Sequence, residues 1–127
     1  MEDSVFTKII SGELPSHKIY EDEKVLAFLT IQPETPGHTL VIPKIQVDKI
    51  YDVPDDYYCA MWTVAKKIAK TLDEVSGRRT VLRCVGFDVP HAHIHVFSAS
   101  EEYIKPPEIP FAGDAELEAM ATKLRTE

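Results

Sequence analysis

No stretch of the 127-residue chain is apolar over anything near the length of a membrane span, and its first residues lack the basic start and apolar run of an export signal. A cytoplasmic protein with no membrane partner is therefore expected. Basic charge is scarce as well: 14 Lys and Arg against 21 Asp and Glu leave a formal charge of −7. Backbone binding to nucleic acid needs clustered Lys and Arg, so no nucleic-acid partner is expected, and a phosphate-bearing ligand has to be held by a local pocket. Cysteine is limited to Cys59 and Cys84, which fall in a predicted helix and a predicted strand and read as buried, reduced thiols. There is no internal repeat and no low-complexity tract. The length suits one domain, residues 1–127, with one core.

What the chain does have is histidine concentrated in one place. Residues 91 to 97 read H-A-H-I-H-V-F. In an extended strand, His91, His93 and His95 line one face and Ala92, Ile94 and Val96 the other. Three imidazoles are a poor core and a good source of nitrogen lone pairs. The spacing by itself fits a solvated strand face, a metal site, or a catalytic site handling phosphate or protons. No Cys, Asp or Glu stands at an obvious complementary spacing for a metal, and no cofactor is implied.

The remaining pattern supplies a frame. Asp3 or Ser4 can cap a short helix through Val5, Phe6, Ile9 and Ile10 that Gly12 ends. Residues 18–21 and 25–31 read as a hairpin around the acidic turn Glu21-Asp22-Glu23. A Pro- and Gly-containing loop, residues 32–37, leads to a buried strand at 38–43 that opens on a fourth histidine, His38. Between Asp52 and Gly77, Tyr58, Met61, Ala65, Ile68 and Leu72 recur at helical steps. Tyr58, Met61 and Trp62 read as core or subunit contact. A strand from Arg79 to Val85 then turns at Gly86-Phe87-Asp88-Val89-Pro90 into the histidine strand. A polar, proline-containing connection, 101–113, leads to a terminal helix capped by Asp114 and striped by Leu117, Met120, Ala121 and Leu124. The order predicts an α+β fold: a five-stranded, mainly antiparallel sheet, one long helix and short terminal helices, with the helices on one side. Exposed sheet edges make pairing with a second copy the expected arrangement.

His-x-His-x-His followed by two apolar residues resembles the signature of the histidine triad (HIT) family of nucleotide hydrolases and transferases. F-T-K-I-I-S-G-E-L-P at 6–15, Y-E-D-E-K-V-L-A-F-L at 20–29 and P-G-H-T-L-V-I-P-K at 36–44 resemble further family stretches in the same order. The likeness is closest to the short bacterial members and the nucleoside phosphoramidase branch, which form homodimers. It implies hydrolysis at the α-phosphate of purine nucleoside 5′-phosphoramidates or dinucleoside polyphosphates through a nucleotidyl-histidine intermediate. The alternatives are a purine nucleotide-binding module without efficient turnover and a His-cluster metal-binding protein.

Carried over by position, His93 is the nucleophile, His91 and His38 orient and support it, and His95 contacts the phosphoryl oxygens. Phe6, Ile9, Leu14, Phe28 and Ile31 match apolar positions that enclose the base. Three departures from the family pattern stand out. Thr30 replaces a ribose-binding Asp and offers fewer acceptor sites. The segment before the triad is short, lacks the usual Asn and Gln, and carries Asp88 where a phosphate-contacting Ser is usual. A carboxylate beside a phosphate is repulsive, so Asp88 is read as orienting a histidine or capping the turn. Ser4, Thr7 and Gln46 stand where many short members hold a structural zinc, and they are weak zinc ligands.

Overall fold

The computed structural model describes residues 2–99 and 110–125. Helix α1 (Val5–Ser11) starts where Ser4 Oγ accepts the Thr7 N–H at 3.0 Å and stops where Gly12 turns left-handed at φ 87°. Strands β1 (His17–Glu21) and β2 (Val25–Leu29) form the expected hairpin. Its turn is closed by Asp22, whose Oδ1 accepts the Lys24 and Val25 N–H groups, each at 2.8 Å. There follow β3 (Thr39–Pro43), a 3₁₀ turn (Ile50–Asp52), α2 (Asp55–Ser76), β4 (Arg79–Arg83), β5 (Ile94–Ala99) and α3 (Asp114–Leu124). The sheet order is β1-β2-β3-β5-β4 with every neighbouring pair antiparallel. The fold is thus the α+β arrangement that the element order predicts.

The helices do not share one side, as the sequence reading had them. On one face Val25, Ala27, Val41, Ile94 and Val96 pack against Met61, Val64, Ala65 and Leu72 of α2. On the other, Leu26, Phe28, Leu40 and Ile42 pack against Phe6 and Ile9 of α1. The reason lies in β2 and β3, which are apolar at consecutive rather than alternate positions and so are buried on both faces. The edge strands differ: every residue of β1 is exposed, and β4 is at most half-buried.

Several boundaries shift for identifiable reasons. The ladder of β5 begins at Ile94, not His91. Continuing the β3–β5 register from Val41 opposite Ile94 brings Pro43, which has no N–H to give, opposite Ala92. β2 ends at Leu29, short of the expected Ile31, and β4 ends at Arg83, short of Val85. The N-cap of α3 is Gly113, with Asp114 inside the first turn, and its stripe residues Leu117, Met120 and Leu124 are exposed. Part of the connection expected at 101–113 lies outside the described residues. Both cysteines are exposed free thiols rather than buried ones. Cys59 stands two residues from Met61 and therefore on nearly the opposite side of α2, and Cys84 lies just past the last paired residue of β4.

Gly37 holds the approach to β3 at φ 91°, and a Cβ there would come within 2.7 Å of Leu72 Cδ1. Gly37→Ala is expected to lower the unfolding free energy by about 1–2 kcal/mol, measured from the urea midpoint, because it adds left-handed strain to a contact that Leu72 must move to relieve. An unchanged midpoint would contradict this.

Candidate active site

The approach to β5 is tied down residue by residue. The His91 N–H donates to the Val89 carbonyl at 2.8 Å and the Ala92 N–H to the Val47 carbonyl at 2.6 Å. The alternation expected of H-A-H-I-H-V-F persists through this unpaired stretch. Ala92, Ile94 and Val96 join the α2 core, while the imidazoles turn to the α1 side. They are not solvated there: His91 and His93 are buried, and the Phe6 ring meets both edge-on, at centroid distances of 5.8 and 5.0 Å.

Carbonyl oxygens only accept and backbone N–H groups only donate, so the neighbours of each ring assign its tautomer. His93 Nδ1 lies 2.7 Å from the His91 carbonyl and must carry the hydrogen, which leaves Nε2 as a bare lone pair. His91 Nε2 lies 3.0 Å from the Pro43 carbonyl and carries its own hydrogen; its Nδ1 accepts from the Ser4 hydroxyl at 2.8 Å. The Glu34 N–H donates to His38 Nδ1 at 3.1 Å, so the hydrogen of His38 is on Nε2 and points at His95 Nδ1, 3.0 Å away. The hydrogen of His95 is then on Nε2. Glu34 Oε2 is 3.9 Å from His38 Nδ1, too far for a hydrogen bond and facing a nitrogen without a proton.

All four rings are held neutral. Burial lowers the pKa of His93, against an opposing pull from the His91 carbonyl and from the charge of Asp88. Burial likewise lowers that of His91, with the Pro43 carbonyl opposing, and that of His38, with the Glu34 carboxylate opposing. His95 is pushed lowest, to about 4, by burial first and then by His93, His38 and Arg83. The His93 and His95 rings are T-shaped with centroids 4.9 Å apart, so the ring that has a bare Nε2 neighbours the ring whose Nε2 carries a hydrogen.

The proposed base-enclosing set is divided. Phe6, Ile9 and Phe28 are core residues, Leu14 is exposed, and Ile31 is 91% exposed. Thr30 is half-buried and engaged locally: its N–H donates to the His38 carbonyl at 3.1 Å and its Oγ1 accepts the Gln32 N–H at 3.2 Å. Asp88 is exposed and reaches His93 through its charge. A cavity of about 260 Å³ has His91 and His93 in its wall, together with Lys49, Tyr51, Cys84 and Gly86.

Sequence reasoning did not find Glu34 and Arg83 beside the triad. Arg83 lies opposite His95 in the β4–β5 register, stacks over Phe97 with its guanidinium carbon 4.8 Å from the ring centroid, and pairs with Glu34 at 2.5 Å. Only the strand order could have revealed that neighbourhood. Ser4, Thr7 and Gln46 do converge with His91, but as hydrogen-bond partners of one another. Their hydroxyl protons and amide oxygen are committed within the cluster, a donor set that does not fit zinc. Among the described residues no three of His, Cys, Asp or Glu are grouped to hold a metal, and no described helix is long and apolar enough to cross a membrane.

Because the folded pKa values of the four histidines are lowered, the unfolded chain binds protons below about pH 6.5 that the folded chain refuses. Their stabilising contribution is complete above that pH and is lost as pH falls toward the folded values, about 4 for His95. The urea midpoint is expected to drop between about pH 7.5 and about pH 5, a window above the carboxylate range. A flat profile over that window would contradict neutral burial.

Residues 11–102 match the HIT domain family. The purine nucleoside phosphoramidase of Escherichia coli is 38% identical over 102 residues, covering 75% of this chain and 86% of that relative. A HIT family protein from Bacillus anthracis superposes with a TM-score of 0.80 at 30% identity, covering 97% of this chain and 95% of that one. The histidine triad nucleotide-binding protein of Candida albicans does so with a TM-score of 0.77 at 30% identity, covering 96% and 94%. With its triad at 91–95 inside the matched region and its five-stranded sheet in common with these structures, the chain belongs to the HIT family.

Proposed function

We propose that the protein is a nucleotide hydrolase that cleaves at the α-phosphate of purine nucleoside 5′-phosphoramidates or dinucleoside polyphosphates. The observation that carries this reading is the 2.7 Å hydrogen bond from His93 Nδ1 to the His91 carbonyl. It commits the proton of His93 to one nitrogen and leaves the other as a nucleophile at neutral pH. The Nε2 lone pair attacks the α-phosphorus and forms a P–N bond while the bond to the leaving group breaks, an amine taking up one proton from solvent as it departs and a phosphate leaving as the anion. Water then attacks the same phosphorus, the P–N bond breaks, and Nε2 recovers its lone pair, releasing nucleoside monophosphate and a proton. His95 Nε2–H donates a hydrogen bond to oxygen as charge develops, and His38 holds that ring in the donating tautomer. The phosphoramidase name of the Escherichia coli relative points to the same chemistry.

Wild-type protein is expected to release AMP from an adenosine 5′-arylamine phosphoramidate. His93→Ala is expected to lose at least about a thousand-fold in rate while still binding AMP, the loss typical of removing a covalent nucleophile. AMP bound by wild type without release of product would favour the nucleotide-binding module instead.

A homodimer in the cytoplasm belongs to the same reading. Among the described residues β4 has a strand on one side only, Tyr58 is exposed beside Trp62, and the buried Trp62 indole N–H has no hydrogen-bond partner. Sedimentation at the mass of two chains is expected; the mass of one chain would contradict it.

A further inference from the structure

His91 is fully buried and touches no reacting atom in the proposed chemistry, yet its backbone carbonyl assigns the tautomer of His93. What holds that carbonyl in place is therefore part of the mechanism. The His91 ring is anchored at both nitrogens, by the Pro43 carbonyl at 3.0 Å and by the Ser4 hydroxyl at 2.8 Å, from a residue 87 positions earlier in the chain. We propose that Ser4 is a positioning residue for His93, acting through the His91 ring to fix the carbonyl that keeps the Nε2 of His93 unprotonated.

The shortest contacts of the cluster give one consistent set of donors, and two longer ones lie beside them, Ser4 Oγ to Thr7 Oγ1 at 3.3 Å and Thr7 Oγ1 to His91 Nδ1 at 3.4 Å. Ser4 Oγ gives its one hydrogen to His91 Nδ1 and accepts the Thr7 N–H at 3.0 Å. Thr7 Oγ1 donates to Gln46 Oε1 at 2.7 Å, and the same amide oxygen accepts the Ser4 N–H at 2.8 Å. Gln46 Nε2 donates to the Glu2 carbonyl at 2.8 Å. Ser4 is thereby held by its backbone as well as by its side chain, and its hydroxyl hydrogen is left for the imidazole. Satisfied buried networks of this kind restrict their members to one arrangement. Ser4 also caps α1, whose Phe6 packs edge-on against both His91 and His93. One side chain thus joins helix start, ring anchor and nucleophile.

The capping role and the donor role can be separated. Glycine is nearly as good an N-cap as serine but donates nothing from a side chain, whereas threonine does both. Ser4→Gly and Ser4→Ala are both expected to lower kcat on the phosphoramidate about ten-fold, the scale of one lost buried hydrogen bond, with KM within about two-fold. Ser4→Thr restores most of the loss. A purely structural cap would instead make alanine clearly worse than glycine.

The inference rests on His93 being the nucleophile, so its decisive readout is taken without turnover. Long-range ¹H–¹⁵N spectra of the free protein are expected to show His93 protonated at Nδ1 in wild type and Ser4→Thr, and a tautomer mixture in Ser4→Gly. An unchanged His93 pattern in Ser4→Gly overturns the positioning role of Ser4. Inactivity of a wild type whose His93 responds to Ser4 as expected overturns the nucleophile reading and leaves the coupling of Ser4 to His93 in place.

Discussion

A main-chain carbonyl cannot donate a hydrogen bond, and the proton arrangement of the buried histidines follows from where one such carbonyl is placed. The oxygen of His91 faces Nδ1 of the histidine two residues on, and from that contact the rest of the proton arrangement at His93 is determined. The fold supplies the placement. Pro43 ends the useful ladder of β3, so the chain before Ile94 is released from strand pairing. Its backbone and ring nitrogens are taken up instead by Val89, Val47, Pro43 and Ser4. A continuous strand would have committed those backbone groups to a neighbouring strand instead.

Burial and charge act in the same direction as this geometry. An imidazolium buried against Phe6 would lose most of its hydration, so His91 and His93 stay neutral. The Arg83–Glu34 pair flanks His95 with opposite charges: the guanidinium lowers the pKa of that ring and the carboxylate raises it, and burial outweighs both. Two sub-networks meet at the triad. One runs from Ser4 through His91 to His93, the other from Glu34 through His38 to His95, and they present a bare nitrogen and an N–H on adjacent rings 4.9 Å apart.

Much of this was legible in the residues. The alternation of H-A-H-I-H-V-F separates imidazole from core, Asp3 or Ser4 and Gly12 bound α1, with Ser4 the cap in the structure, and the helical recurrence from Tyr58 to Leu72 locates α2. The misreadings have physical sources. Element order does not say which sheet face a helix covers, and β2 and β3, buried on both faces, have α1 across the sheet from α2. Alternation alone extends the strand through His91, because pattern does not reveal which partner residue lacks an N–H. Residue type predicts burial for Cys59 and Cys84, while helix phase and the end of β4 decide their exposure. The meeting of Ser4 with His91, and of Arg83 with Glu34, joins positions 87 and 49 residues apart. Proximity of that kind is set by strand order, which no local pattern encodes.

The measurement closest to the central claim is the intact mass of protein quenched during turnover of an adenosine phosphoramidate, in alkaline denaturant that preserves a phosphorus–imidazole bond. A gain of one adenylyl group, mapped by fragmentation to His93, is the expected result. Turnover with no gain in mass, or with the group on any other side chain, would contradict a nucleophile prepared by the His91 carbonyl.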